Sequence, residues 1–204
     1  GQCVVELGAL EAPLDEVDSV SRVAVGDGSD TEQRCEGDAK AACVQQAVLE
    51  LELESGGGQD LRRATSAREQ LGELCGGGIQ EACRQLASWW LRHPDEPGAR
   101  ERARQLLEQS CAAADHRACA QLGLLLARDP DGRATGFPLL SAACEAGDVL
   151  GCAGLAQMYA EFDPFPGRDP TTAQRLFETA CDGGDAMSCY EAGFLLHGGG
   201  DVED

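Results

Sequence analysis

One lysine, Lys40, stands among 204 residues, and the residue three positions before it is Gly37. Serine hydrolases built on S-x-x-K and K-T-G motifs are excluded on that ground, because both motifs need a suitably placed lysine. Histidine is nearly as scarce: His93, His116 and His197 lie far apart, and neither H-E-x-x-H nor C-x-x-C occurs. The usual signatures of zinc sites and of haem attachment are therefore missing, as are a G-x-S-x-G elbow and a phosphate-binding loop. No apolar run reaches the roughly 18 residues that mark a membrane-spanning helix. No basic segment followed by an apolar stretch opens the sequence, so no signal peptide is expected within it. Aromatic residues make up 4%, whereas Ala, Leu and Gly are common, which favours close helix-on-helix packing over a β-sandwich. The length suffices for a sizeable buried core in one or two domains.

The formal net charge is −20, and it is unevenly spread. Residues 1–60 carry 14 acids and 3 bases, residues 61–133 carry 10 acids and 11 bases, and residues 134–204 carry 12 acids and 2 bases. Such a surface repels nucleic acid and anionic lipid. Its simplest meaning is solubility.

Cysteine is abundant, with 11 residues. Ten of them form five pairs, each eight residues apart: Cys35/Cys43, Cys75/Cys83, Cys111/Cys119, Cys144/Cys152 and Cys181/Cys189, with Cys3 left over. Disulfides, reduced core thiols and metal ligands are the three readings of these pairs. Core packing does not require one spacing five times, and three histidines cannot complete five metal sites, so disulfides are favoured.

Aligned on the first cysteine of each pair, the sequence repeats at intervals of 40, 36, 33 and 37 residues, the period of a helical solenoid. Eight residues before that cysteine stand Ala67, Ala103, Gly136 and Ala173, and four before it stand Leu71, Leu107, Leu140 and Phe177. A spacing of four puts both stations on one helix face. Turns such as Ala146-Gly147-Asp148 and Gly183-Gly184-Asp185 follow, where Gly can end one helix and Asp can cap the next. Four residues past the second cysteine stand Ala47, Ala87, Gly123, Ala156 and Gly193, small enough to let two helices touch. Six past it stand Leu49, Trp89, Leu125, Met158 and Leu195, expected in the core. Each repeat thus reads as a first helix, a tight turn and a second helix, with its cysteines facing each other across the turn. A bridge closing so short a loop stabilises by roughly 2–3 kcal/mol in the chain-entropy model.

The run Ala173, Leu176-Phe177, Ala180-Cys181, Gly184-Asp185, Ser188-Cys189, Ala192-Gly193, Leu195-Leu196 and Gly198 resembles the Sel-1-like repeat family, a relative of the tetratricopeptide repeats. In its cysteine-bearing form the chain is similar to the Helicobacter cysteine-rich proteins, in which the eight-residue spacing forms a disulfide within each repeat. The resemblance covers about residues 61–200 and implies an all-α, right-handed solenoid of disulfide-stapled hairpins. Upstream of Cys35 the pattern lapses: Asp27 and Thr31 occupy the stations, and Gly26-Asp27-Gly28-Ser29-Asp30 is a loop signature. Residues 1–30 are accordingly expected to form an atypical cap or linker, residues 31–200 the solenoid with its first repeat incomplete, and residues 201–204 a tail. Cys3 reads as part of an earlier second helix whose partner lies upstream, or alternatively as a lipid-bearing cysteine.

The resemblance also implies an oxidising, periplasmic or secreted location in a bacterium. Some cysteine-rich family members have been linked to penicillin binding or β-lactam hydrolysis, so a β-lactam- or peptidoglycan-directed hydrolase is one alternative and a passive cell-envelope protein another. The missing motifs favour a non-catalytic scaffold for a protein or peptide, with no cofactor and no metal. Candidate contact residues are Arg62, Arg100 and Arg104, which with Arg63, Arg68 and Arg102 form a basic stripe suited to an acidic partner, and Trp90, since exposed Trp is enriched at binding hot spots. Trp89 falls on a core station instead.

Overall fold

The computed structural model describes residues 40–52, 58–161 and 167–196. Nine α-helices lie among the described residues: α1 (Lys40–Glu52), α2 (Gly58–Gly76), α3 (Gln80–Arg92), α4 (Ala99–Ala112), α5 (His116–Ala127), α6 (Arg133–Glu145), α7 (Val149–Glu161), α8 (Pro170–Asp182) and α9 (Ala186–Leu196). No strand accompanies them within those residues, and each helix packs on its neighbours in chain order. The chain is an all-α solenoid. Four complete hairpins, α2/α3, α4/α5, α6/α7 and α8/α9, follow the single helix α1. Cys3, Cys35 and the expected N-terminal cap fall outside the described residues, as does the expected tail.

Each hairpin turns in the same way. The residue three past the first cysteine takes a left-handed backbone: Gly78 (φ 85°), Ala114 (φ 63°), Gly147 (φ 85°) and Gly184 (φ 96°). Its N–H donates to the cysteine carbonyl, and the next N–H donates to the carbonyl one residue further back, as in Asp148 to Ala143 at 2.9 Å and Asp185 to Ala180 at 3.0 Å. These two bonds satisfy carbonyls that a helix end would otherwise leave open. In three hairpins an aspartate then caps the second helix. Asp115 accepts from the N–H groups of Arg117 and Ala118, Asp148 from Gly151, and Asp185 from Ser188. The turn brings the two cysteines together, with Cα–Cα separations of 4.4–4.7 Å in Cys75–Cys83, Cys111–Cys119, Cys144–Cys152 and Cys181–Cys189. Cys43 is disulfide-bonded as well.

The apolar stations meet between the helices. Ala67, Ala103 and Ala173, with Leu71, Leu107 and Leu140, are fully buried, and Phe177 nearly so. Truncating such a leucine costs about 2–5 kcal/mol. The core runs on from one hairpin to the next. Ala87 of α3 joins the cluster of α4 and α5, Ala127 of α5 joins that of α6 and α7, and Ala156 of α7 joins that of α8 and α9. Helices α5 and α6 touch where both sides lack a side chain: a Cβ on Gly136 would stand 2.6 Å from the carbonyl oxygen of Gly123.

Two of the five residues expected in the core six past the second cysteine behave differently. Trp89, Leu125 and Met158 are buried, but Leu49 is 61% exposed and Leu195 is half-buried. The station works only where helices flank the second helix on both sides. Among the described elements α1 packs chiefly on α2, which follows it, and it buries Val44, Ala47 and Leu51 instead of Leu49.

Candidate functional site

Three of the four expected contact residues, Arg100, Arg104 and Trp90, are held in local partnerships. Arg100 donates to Asp129 at 2.6 Å and to the carbonyl of Leu125 at 3.3 Å. It thereby ties the start of α4 to the end of α5, at the opposite end of the hairpin from the disulfide. Arg104 lies between Glu101 and Glu108, at 3.0 and 2.8 Å. Hydrogen bonding to Arg104, and then to Gln105, holds the Glu101 carboxyl below its ordinary range, while Glu101 raises the Arg104 guanidinium. Arg62 is exposed. Trp90 is half-buried between the clusters of the second and third repeats, edge-on to Trp89 at 4.8 Å, with the Arg102 guanidinium 4.5 Å above its ring. Arg68 covers Trp89 in the same way at 4.4 Å, and His93 also stacks on Trp89 at 4.1 Å. Arg102 over Trp90 thus joins the third repeat to the second, while Arg68 over Trp89 braces the second repeat and the ion pairs brace the third. Neither of the two cavities at the last hairpins is lined by Arg62, Arg100, Arg104 or Trp90.

Two cavities lie elsewhere, at the junction between the second helices α7 and α9. A cavity of about 480 Å3 opens beside the turns of the last two hairpins, lined by Arg117, Asp148, Leu150, Ala153 and Asp185 together with turn glycines. A smaller one of about 170 Å3 adjoins it and shares Leu150, Ala153 and Asp185. Leu124, Phe177 and Met187 give the second cavity an apolar wall, and Gln157, Glu161 and Glu191 a polar one. Together they form a groove with an acidic end and an apolar end.

The groove exists because successive junctions between second helices are built differently. At α5/α7 the helices touch directly, and a Cβ on Gly154 would meet the Leu124 side chain at 2.7 Å. At α3/α5, Arg84 reaches across to Asp115 at 2.7 Å, with both side chains mostly buried, and Gln121 donates to Ser88 at 3.3 Å. At α7/α9 the residue in the place of Arg84 is Ala153, and the gap stays open. The sequence carried a signal of this. The position after the second cysteine reads Arg84, Ala120, Ala153 and Tyr190, an irregularity at a place where a regular stack should repeat.

Among the described residues no helix is long and apolar enough to cross a membrane. The four disulfides fit an oxidising compartment. Neither a scan of protein-family models nor a search of curated proteins finds a match to this chain.

Proposed function

We propose that this chain is a non-catalytic, extracytoplasmic scaffold of the cysteine-rich Sel-1-like type, and that it holds a polypeptide in the groove between α7 and α9. One observation carries the reading: a groove with an apolar wall and an acidic end, set in hairpins that disulfides and shared cores keep rigid. Rigidity matters because a preformed site loses little conformational entropy on binding. Apolar walls with a few placed polar groups are what peptide and ligand sites present. Residues 134–204 carry 12 acids against 2 bases, so this end of the stack attracts a cationic segment over distance. Arg68, Arg100, Arg102 and Arg104 of the middle repeats, tied to a neighbouring acid or ring, serve the stack first. An acidic partner would have to displace those contacts.

The test is a display selection of random peptides against the oxidised protein, followed by titration calorimetry of the enriched sequences. Binders should lose at least tenfold in affinity against Met187→Glu, which alters an exposed side chain of the groove and so spares the fold. Enrichment of nothing above background, or binders indifferent to Met187→Glu, would defeat the reading.

A further inference from the structure

Three junctions between second helices, α3/α5, α5/α7 and α7/α9, differ in ways that point to a ligand chemistry. At α3/α5 and at α7/α9 the residue after the second cysteine shares a site with the aspartate that caps the next second helix. At α3/α5 that aspartate divides its labour. Asp115 Oδ1 accepts the N–H groups of Arg117 and Ala118, and Oδ2 receives Nε of Arg84 at 2.7 Å. Arg84 and Asp115 retain only 18% and 13% of their side-chain exposure, so a guanidinium fills this slot. At α5/α7 the equivalent residue, Ala120, is fully buried, and direct helix contact takes the space. At α7/α9 neither happens. Asp185 caps α9 through Oδ2, which accepts from the N–H and the hydroxyl of Ser188, and it lines the cavity. Opposite Asp185 stands Ala153, and the cavity of about 480 Å3 occupies the difference. Asp148, which caps α7 through Oδ1, brings a second carboxylate to the same wall.

We propose that the α7/α9 junction takes an arginine side chain from a bound polypeptide, seated on Asp185 as Arg84 is seated on Asp115. This rests on the peptide-scaffold reading above and adds the residue that the partner must supply. The planar guanidinium suits the slot better than an ammonium, because it donates in a fixed fork to carboxylate oxygens. Arg117 at the rim contributes one positive charge against the two carboxylates. It favours a partner whose arginine is followed by an acid or by the C-terminal carboxylate over one with a run of arginines. The adjoining apolar cavity, walled by Leu124, Phe177 and Met187, then receives an apolar neighbour of that arginine.

The probe is N-acetyl-arginine amide, with the uncharged isostere N-acetyl-citrulline amide as control, titrated into the 15N-labelled, oxidised protein at low salt. The arginine probe should shift the amide resonances of Ala153, Asp185 and Ser188, and citrulline should shift them at least tenfold less at equal concentration. Ala153→Arg supplies the guanidinium internally. It should abolish the response and raise the melting temperature, which also shows that the variant is folded. Asp185→Asn keeps a capping side chain and should weaken the probe at least fivefold. Equal responses to both probes, or a response that survives in folded Ala153→Arg, would overturn the proposal. If display-selected peptides bind the groove but tolerate replacement of every arginine by citrulline, the scaffold stands and the arginine slot fails. If no peptide binds while the arginine probe still occupies the slot, the scaffold reading fails instead.

Discussion

Ala114 is the one non-glycine residue with positive φ among the described residues, and the repeats supply its own control. In the turns of the neighbouring hairpins the same place holds Gly78, Gly147 and Gly184, all with positive φ. An L-residue in the left-handed region costs roughly 1–2 kcal/mol relative to glycine. Glycine in turn gives up about 0.4–1 kcal/mol through the freedom it has in the unfolded chain. Ala114→Gly should therefore stabilise by about 0.5–1 kcal/mol, raising Tm by roughly 1–4 °C for a domain of this size. Gly147→Ala should do the reverse by a similar amount. A Cβ there would meet nothing within 4 Å, so the change reports backbone conformation alone. Thermal melts of the oxidised protein followed by circular dichroism at 222 nm measure both. Equal or lower stability of Ala114→Gly, together with an unchanged Gly147→Ala, would refute the shared left-handed turn.

Three further outcomes follow from the packing. Ser110 is fully buried and its hydroxyl has no partner, where the next two repeats have Ala143 and Ala180; Ser110→Ala should stabilise by about 1 kcal/mol, and a loss of stability in urea unfolding would show that the hydroxyl is satisfied in solution. Arg84→Ala should cost about 1–3 kcal/mol by leaving Asp115 Oδ2 without its charged donor, and a double-mutant cycle with Asp115→Asn should return a coupling of comparable size; a coupling near zero would contradict the bridge. Asp169 caps α8, and the Thr172 hydroxyl, then its N–H and that of Thr171, hold its carboxyl below the ordinary range. A depressed carboxyl stabilises fully above its unfolded pKa of about 4 and loses that contribution as the pH falls through the folded value. The Tm difference between the protein and Asp169→Asn should thus be flat from pH 7 to 5 and shrink below about pH 4; a difference that widens on acidification would reverse the sign.

The sequence made the hairpin legible because the disulfide fixes its phase. Once Cys75, Cys111, Cys144 and Cys181 are aligned, the residues four and eight before them must share the helix face that closes on the second helix, and all of them are buried. The turns were readable for the same reason, apart from Ala114, whose side chain gives no warning of a left-handed backbone. What lay between repeats was harder. Leu49 repeats the pattern of Trp89 and Met158 but among the described residues lacks their flanking helices, and burial depends on neighbours that a local pattern does not contain. Arg100 and Arg104 form a stripe in sequence, yet Asp129 and Glu108 meet them only once α4 and α5 are folded. The groove at α7/α9 arises from a substitution, Ala153 in the place of Arg84, whose consequence is visible only when the facing aspartates are known.

The account rests on each repeat carrying its own staple, since the rigid groove and the oxidising compartment both follow from it. Peptide mapping of the unreduced protein by mass spectrometry tests this most directly. It should recover Cys75–Cys83, Cys111–Cys119, Cys144–Cys152 and Cys181–Cys189 as separate cross-linked peptides, with Cys43 joined to Cys35 as the repeated spacing leads one to expect. Bridges running from one repeat to another, or a majority of free thiols, would contradict it.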